Sequence, residues 1–350
     1  IGVVDADVTT HLGGTTSYNT GSVLATATLD GSGGYSLTTV SGAGNPTKTS
    51  VAGALILHFV TTDVESLVLD GALIGFNGAD LSLIASSTTN VTSSATPNED
   101  TGGGASLGVG AAFVLYKGVN TTRAEIVGDA LDDAAYAGED VSGLDVLSLM
   151  ATGNHTDATT ARAGTSGSGS GNGTTIGGAI AVAIVDNVTT ADLGTSGKLV
   201  TTGDVSATAD NTGASMTLAG GDVSGGATAI GAGIVLAFVD NRASSKARRD
   251  IDSGGTVALV AKNASKSVAQ SVATAEGEEA DKDGKNANSQ ASDQDNFAAG
   301  KTDSDLASKK KSKDTTATGE GGGNVSVAAA LSLNVTNAEA ITEVEDVTID

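Results

Sequence analysis

The chain reads Gly178-Ala-Ile-Ala-Val-Ala-Ile-Val-Asp-Asn187 in one place and Gly231-Ala-Gly-Ile-Val-Leu-Ala-Phe-Val-Asp-Asn241 in another. Weaker or truncated copies begin at four further places: Ile1, near Gly53, near Gly110 and near Ala328. A sequence unit that recurs at this length predicts a stacked architecture, in which each unit buries its apolar side chains against its neighbours.

The spacing of the copies defines the domain organisation. The first large apolar residues of the copies lie 58, 67, 54 and 97 residues apart: Leu55, Phe113, Ile180, Ile234 and Leu331. A unit of about 54 residues with loop insertions accounts for these spacings. We therefore predict solenoid repeats over residues 1–275, a charged low-complexity insertion or protruding loop over 276–323, and a continuation of the solenoid over 324–350.

In the first half of each unit, large apolar residues alternate with residues that vary in size and polarity, which is typical of a β-strand. We expect the large apolar residues at every second position to point inward, as in Leu55, Leu57 and Phe59 or in Ile234, Leu236 and Phe238. Asp and Asn favour turns because they tolerate left-handed backbone and bond their own main chain. The Asp-Asn pair that ends each clear copy is therefore predicted to form a corner.

The second half of each unit is also strand-like. It opens with a Gly and continues with alternating apolar residues, as in Gly203-Asp-Val-Ser-Ala207 and Gly255-Thr-Val-Ala-Leu259. An extra residue near Asp145–Met150 suggests a bulge. Four asparagines that follow these segments are predicted to lie at turns: Asn90, Asn154, Asn211 and Asn263. The fold class predicted from both halves is an all-β parallel β-helix, or β-solenoid.

Composition limits the possible functions. The 350 residues include 49 Gly, no Cys and no Trp, and aromatic residues make up 3%. A narrow interior of Val, Ile, Leu and Ala fits a solenoid better than a globular enzyme core. The net charge of −23 disfavours nucleic acid, whose phosphates need basic partners, and anionic lipid. No apolar run is long enough to predict membrane insertion.

Catalytic residues are not evident in the sequence. The three histidines lie in different units without ligand spacing; His58 is expected to point outward, and His11 and His155 to lie near turns. The densest carboxylate group outside the insertion, Asp132-Asp133 with Glu139-Asp140, is interpreted as a loop cluster rather than a catalytic pair. We predict no catalytic residues and no cofactor, and interpret the chain as a non-enzyme.

Calcium is the one cofactor that the sequence leaves possible. Asp and Asn oxygens suit this hard cation, and two Asp-Asn pairs recur at matching places. The candidate ligands are Asp186, Asn187, Asp240 and Asn241. The alternative is that these residues cap turns.

Asn-x-Ser/Thr motifs offer candidate glycosylation sites, several of them at predicted turns. The candidates are Asn90, Asn120, Asn154, Asn172, Asn187, Asn263, Asn324 and Asn334. A chain rich in Ser and Thr also produces such motifs by chance.

The units Gly178–Leu193 and Gly231–Ala247, each followed by a short Gly-led strand, resemble the repeats of large bacterial surface adhesins. These are the filamentous-haemagglutinin-like and autotransporter-like proteins. The resemblance implies a right-handed parallel β-helix and an extracellular or cell-surface fibre that attaches to a surface carbohydrate, a protein receptor or another cell. A β-helical polysaccharide-processing enzyme and a passive surface-layer component remain alternatives.

The number of coils and the ends of the array lead to an expectation about assembly. If each unit supplies two coils, about a dozen coils give a rod of roughly 60 Å. The first copy is truncated and neither terminus shows a capping helix. Because exposed strand edges tend to pair, we expect either continuation in a longer chain or self-association end to end.

Overall fold

The computed structural model describes residues 1–17, 21–42, 49–97, 107–131, 143–166, 173–224, 228–276, 315–318 and 325–350. Within these ranges the chain forms sixteen β-strands and no helix. The strands are β1 (Gly2–Leu12), β2 (Thr15–Ser17), β3 (Ser22–Ser41), β4 (Thr49–Val68), β5 (Leu73–Gly75), β6 (Asp80–Pro97), β7 (Leu107–Ile126), β8 (Leu147–Ser166), β9 (Thr174–Asp192), β10 (Lys198–Thr201), β11 (Val205–Ser224), β12 (Thr228–Ala247), β13 (Asp250–Ser253), β14 (Val257–Glu276), β15 (Thr315–Thr318) and β16 (Val325–Val344).

Two long parallel sheets make up the fold. Sheet I has the order β1-β4-β7-β9-β12-β16, and sheet II has the order β3-β6-β8-β11-β14-β15. The two-stranded parallel sheets β2-β5 and β10-β13 lie between the long sheets along the chain. Each turn of the chain therefore places one strand in sheet I and the next long strand in sheet II, which confirms the predicted parallel β-solenoid.

Strand register confirms the period read from the sequence. Leu55, Phe113, Ile180, Ile234 and Leu331 lie side by side in one row across five strands of sheet I. The unequal spacings of 58, 67, 54 and 97 are thus absorbed between strands, and the strands themselves stay in register.

Each unit supplies one coil, so the condition of two coils, on which a rod of roughly 60 Å depended, is not met. Two strands of about twenty residues, one in each sheet, use up most of a unit. Six layers span only about 24 Å from first to last strand at about 4.8 Å per layer. The rod of roughly 60 Å expected for one chain is therefore too long.

The predicted orientation of the first strand is reversed. Leu55 is 59% exposed and Phe238 39%, whereas the neighbouring Ile56 and Ala237 are fully buried. In β9 the buried set is Ala181, Ala183 and Val185, and Ile180, Val182 and Ile184 face outward. In β9 the smaller residues thus fill the interior, and in each strand of sheet I the apolar residues expected inside lie on the outer surface.

The interior is wide at one end of the strands and narrow at the other. Where β4 ends and β6 begins, large side chains such as Phe76, Leu81 and Ile126 are buried together. At the opposite end the sheets approach so closely that a Cβ on Gly231 would lie 2.3 Å from the Thr274 carbonyl oxygen and 2.6 Å from that of Gly221. Residues with little or no side chain are required at this end because the backbones of sheet I and sheet II lie almost in van der Waals contact.

The Asp-Asn pairs and the four asparagines do not form turns. Asp186-Asn187 lies inside β9 and Asp240-Asn241 inside β12, and the sites Asn90, Asn154, Asn211 and Asn263 lie inside β6, β8, β11 and β14. The corners instead use glycines with positive φ, such as Gly71 (67°) and Gly78 (88°). The register from Leu147 onward is continuous, and the register shift falls between Gly31 and Tyr35 instead.

Most of the predicted insertion over 276–323 lies outside the described residues. Within it, Thr315–Thr318 forms β15 and pairs with Ala273–Glu276 of β14. After it, β16 pairs with β12 over its full length, so the stack continues in sheet I.

Candidate functional site

The four candidate calcium ligands do not converge. Asp186 and Asp240 are partly exposed on the outer side of sheet I, whereas Asn187 and Asn241 are 1% and 0% exposed inside the solenoid. Arg242 occupies the space beside the carboxylates, 2.7 Å from Asp240 and 3.7 Å from Asp186. Adjacent residues of a strand point to opposite faces, so an Asp-Asn pair cannot bind one cation through both side chains.

Among the described residues, no group of three or more His, Cys, Asp or Glu side chains is arranged to hold a metal ion. The carboxylate cluster of Asp132-Asp133 and Glu139-Asp140 lies outside the described residues.

Asn187 is part of a buried ladder that links successive layers. The Asn120 Nδ2 donates to Asn187 Oδ1 at 2.6 Å, and Asn187 Nδ2 donates to Asn241 Oδ1 at 2.7 Å. The ladder ends on Thr62, whose hydroxyl donates to Asn120 Oδ1, and on Ser265, which accepts from Asn241 Nδ2. Each side-chain amide thereby provides a hydrogen-bond partner for the next amide inside the core.

The six candidate glycosylation sites that lie within the described residues fall into three groups. Asn120 and Asn187 are buried and their amides are used in the ladder, so the folded chain offers no room for a glycan there. Asn263 is partly buried and donates to the Asn241 carbonyl oxygen at 2.6 Å. Asn90, Asn154 and Asn334 are exposed, and glycosylation at them stays a prediction. Asn172 and Asn324 lie outside the described residues.

Two of the histidines are core residues. His58 points inward, contrary to expectation, and its Nδ1 lies 2.8 Å from Ser93 Oγ. His155 lies inside β8 and not near a turn, with its Nδ1 2.9 Å from Thr89 Oγ1. Burial lowers the pKa of both rings, that of His155 to about 4, so both are neutral at pH 7. His11 is exposed near the end of β1.

A buried carboxyl lies in the same interior. Asp157 is 5% exposed and accepts a hydrogen bond of 2.8 Å from the Ser215 hydroxyl. Burial raises the pKa of Asp157 to about 7, and the Ser215 bond opposes that shift. Burial also raises the pKa of Tyr116, and the charge of Asp157 adds to this. Asp157 and Tyr116 are enclosed between the sheets, so their protonation states affect the stability of the fold.

The outer surface of sheet I carries the feature that the sequence interpretation missed. We call it the apolar face: Val51, Gly53, Leu55, Leu57 and Phe59 on β4, with the residues in register on β7, β9, β12 and β16. On β12 these are Ile230, Ala232, Ile234, Leu236 and Phe238. Lys117 is the one charged residue in these rows.

The outer surface of sheet II differs in character. On β6 its outward residues include Ser82, Ser86, Thr88, Thr92 and Ser94. Exposed apolar residues of sheet II, such as Met150 and Met216, stand among polar ones and form no uniformly apolar rows in the described part of the chain.

The sequence signal for the apolar face was clearest in β9, where Asn187 shares the buried phase of the small residues Ala181 and Ala183. In β4 and β7 the buried phase also holds large residues such as Ile56 and Tyr116, so residue size alone does not identify it.

Beyond the apolar face, the outward residues of sheet I become charged. Glu65 pairs with Arg123, Asp240 with Arg242, and Lys246 with Glu343. We call this region, from Thr61 to Leu67 on β4 and in register on the neighbouring strands, the charged half. The outer surface of sheet I is thus divided into an apolar part and a charged part.

Comparison with protein-family models, with curated proteins and with solved structures finds no match for this chain. In the described part of the chain, no helix is long and apolar enough to cross a membrane.

Proposed function

We propose that this chain is a structural repeat segment of an extracellular fibre or adhesin, in which stacks join end to end into an elongated rod. The rod would carry surface attachment or cell–cell contact through a surface carbohydrate or a protein receptor. The extracellular setting is supported by the resemblance of the repeats to those of surface adhesins and by the acidic, cysteine-free composition.

The observation that carries the proposal is the pair of open strand edges. Among the described residues, β1 pairs only with β4 at one end of sheet I, and β16 with β12 at the other. Both outer edges present backbone N–H and C=O groups in the parallel arrangement that a further coil would satisfy. The same end-to-end contact serves a continuing chain or a second copy.

The two ends also match in side chains. Val3 of β1 is in register with Phe59 of β4, and Val335 of β16 lies in the same row at the opposite end of sheet I. A junction that continues the register would place Val3 beside Val335, and Asp7 beside Glu339. The acidic contact opposes the junction at low salt, so assembly is expected to increase with ionic strength.

Electron microscopy and sedimentation velocity test the junction. Thr336 faces inward at the open end of β16, in register with Val239. Thr336→Lys places an ammonium group that reaches water in the free stack but is buried by an added coil, so rods should shorten to single stacks. Asn337→Lys, on the outward side of the same strand, is the matched control and should still form rods.

Two results would count against the proposal. Wild-type protein that stays a single stack at high protein concentration and high salt rejects end-to-end assembly. Assembled rods that bind neither polysaccharide-coated nor protein-coated beads reject the adhesin part and leave only a structural role.

A further inference from the structure

We propose that the apolar face is a lateral interface, on which a second copy of this chain packs sheet I against sheet I. The contact lies on the side of the stack, so it is independent of end-to-end assembly. Its strands run antiparallel across the interface, with each layer facing the same layer of the partner. Three observations support this occupant: area, self-complementary shape and the position of the charges.

The area suits a protein–protein contact. Five strands at about 4.8 Å and nine residues at about 3.3 Å give a face of roughly 24 Å by 30 Å, or about 700 Å². Contiguous apolar patches on monomers rarely exceed a few hundred Å², and a stable interface buries about 800 Å² on each partner. Within the stack Ile184 is 40% exposed and Phe238 39%, and exposure rises to 59% at Leu55 and 56% at Leu331, which have a strand neighbour on one side only.

The row pattern makes the face complementary to itself. A two-fold axis along the stack, through the row of Leu55 and Ile180, brings the second row of one copy against the fourth row of the other. The second row is small, with Gly53, Gly178 and Ala232, and the fourth is large. Leu236 of one copy would therefore pack over Ala232 of the other, large side chain into small.

The charges select this orientation. With the axis along the stack, only the apolar halves overlap, and the charged halves of the two copies extend into water on opposite sides. Lys117 lies in the outermost apolar row, at the rim of the contact, where a Lys side chain can reach solvent. An axis along the strands would instead overlap the charged halves and force acidic groups such as Glu65 and Glu343 into the contact.

The composition of the longest segment outside the described residues does not suit an apolar face. The segment between β14 and β16 is rich in charged residues, including Lys309-Lys-Lys-Ser-Lys313, and has few apolar side chains. Burying it against Leu, Ile and Phe would leave charges without water. A second copy offers an apolar surface of equal size.

Sedimentation equilibrium in the Thr336→Lys background tests the proposal, because end-to-end contacts are blocked there. We expect a two-chain species at up to about 100 µM. The double variant Ile180→Lys and Ile234→Lys should weaken dimerisation more than about tenfold. Met150→Lys with Met216→Lys, at exposed apolar residues of sheet II, is the matched control and should leave the dimer intact.

Chemical cross-linking tests the proposed geometry of the interface between the two copies. The chain has no Cys, so Ile180→Cys introduces one thiol at the proposed axis. Sheets pack about 10 Å apart, so a short bis-maleimide should join two copies at this position. Met216→Cys should not cross-link.

Each remaining outcome overturns the proposal. A single-chain mass at every concentration, or a dimer that resists the double variant, removes the lateral interface. Binding of the single chain to neutral phosphatidylcholine vesicles that is lost in the double variant would assign the face to lipid instead. Circular dichroism of every variant confirms that the comparison is between folded chains.

Discussion

Asn187 shows how one side chain can connect three layers of the stack. Its amide accepts from Asn120 and donates to Asn241, both within 2.7 Å, and it is 1% exposed. A buried amide without partners costs free energy, whereas a stacked row pairs the Nδ2 of each amide with the Oδ1 of the next, and Thr62 and Ser265 bond to the two ends of the row. The residue types that usually mark turns thus stabilise the interior here.

Replacement of Asn187 by Ala is expected to destabilise the fold by about 2–4 kcal/mol, because the Asn120 Nδ2 and Asn241 Oδ1 lose their partners in the core. Urea unfolding measures the change. Asn154→Ala, at an exposed strand position, should change stability by less than about 0.5 kcal/mol. Equal losses at both sites would show that the ladder has no special role.

The contribution of the buried Asp157 to stability is predicted to fall as pH rises. Its pKa is raised from 3.8 to about 7, so between these values the folded state holds a proton that the unfolded state has released. The stability contributed by this group is therefore lost as pH rises through this range. Asp157→Asn removes the loss, and the variant should gain on the order of 4 kcal/mol over wild type between pH 4 and pH 8, measured by urea unfolding. A gain that does not change with pH would contradict this.

His155 produces the opposite slope. Its pKa falls from 6.5 to about 4, so between these values the unfolded state binds a proton that the folded state does not. Stability from this group is lost as pH falls from 6.5 to 4. The contributions of His155 and Asp157 oppose each other there. The stability of the His155→Gln variant should therefore fall more steeply than that of the wild type as pH rises from 4 to 6.5. An unchanged slope would show that His155 keeps its ordinary pKa.

At the scale of the strand, alternation predicted the elements but not their orientation. In β9 both phases are apolar, Ile180 and Val182 in one and Ala181 and Ala183 in the other, so hydrophobicity does not decide which phase is inside. The distance between the sheets decides it. That distance depends on residues of the opposite sheet, such as Thr274 beside Gly231, which lie far along the chain and form no local pattern.

Two glycines of sheet I test this explanation. Gly231→Ala would place a Cβ 2.3 Å from the Thr274 carbonyl oxygen and push the sheets apart, so we expect a loss of about 2–4 kcal/mol in thermal or urea unfolding. Gly178→Ala is the control: no atom lies within 4 Å of its Cβ, and its neighbours in register are Ala111 and Ala232. It should be neutral or slightly stabilising. Equal losses would mean that the sheets are not in close contact at Gly231.

At the scale of the whole molecule, the repeat period was sufficient to predict the stack. Ile180 and Ile234 were aligned from sequence alone, and they are in register because identical units place identical residues one layer apart. The number of coils in a unit was not predictable in the same way. A period of about 54 residues fits two short coils or one coil with long strands, and only the length of the strands distinguishes them.

The layered register predicts that one whole coil can be removed. Thr228 is in register with Thr174, and the Thr228 N–H donates to the Gly173 carbonyl oxygen at 3.1 Å. Deleting residues 174–227 therefore joins Gly173 to Thr228 with the backbone path that Thr174 has in the native chain. The new neighbours match: Asn241 meets Asn120, and Ser267 replaces Ser215 beside Asp157.

We expect the shortened chain to fold with native circular dichroism and a stack about 4.8 Å shorter by X-ray scattering, because stability in such stacks is a sum over layers and their contacts. Removing residues 205–227 instead deletes β11 and its connection while leaving β9 in place, so sheet I keeps its layers and sheet II loses one. That chain should unfold at a much lower urea concentration or fail to fold. If both deletions are equally damaging, the coil is not the cooperative unit of this molecule.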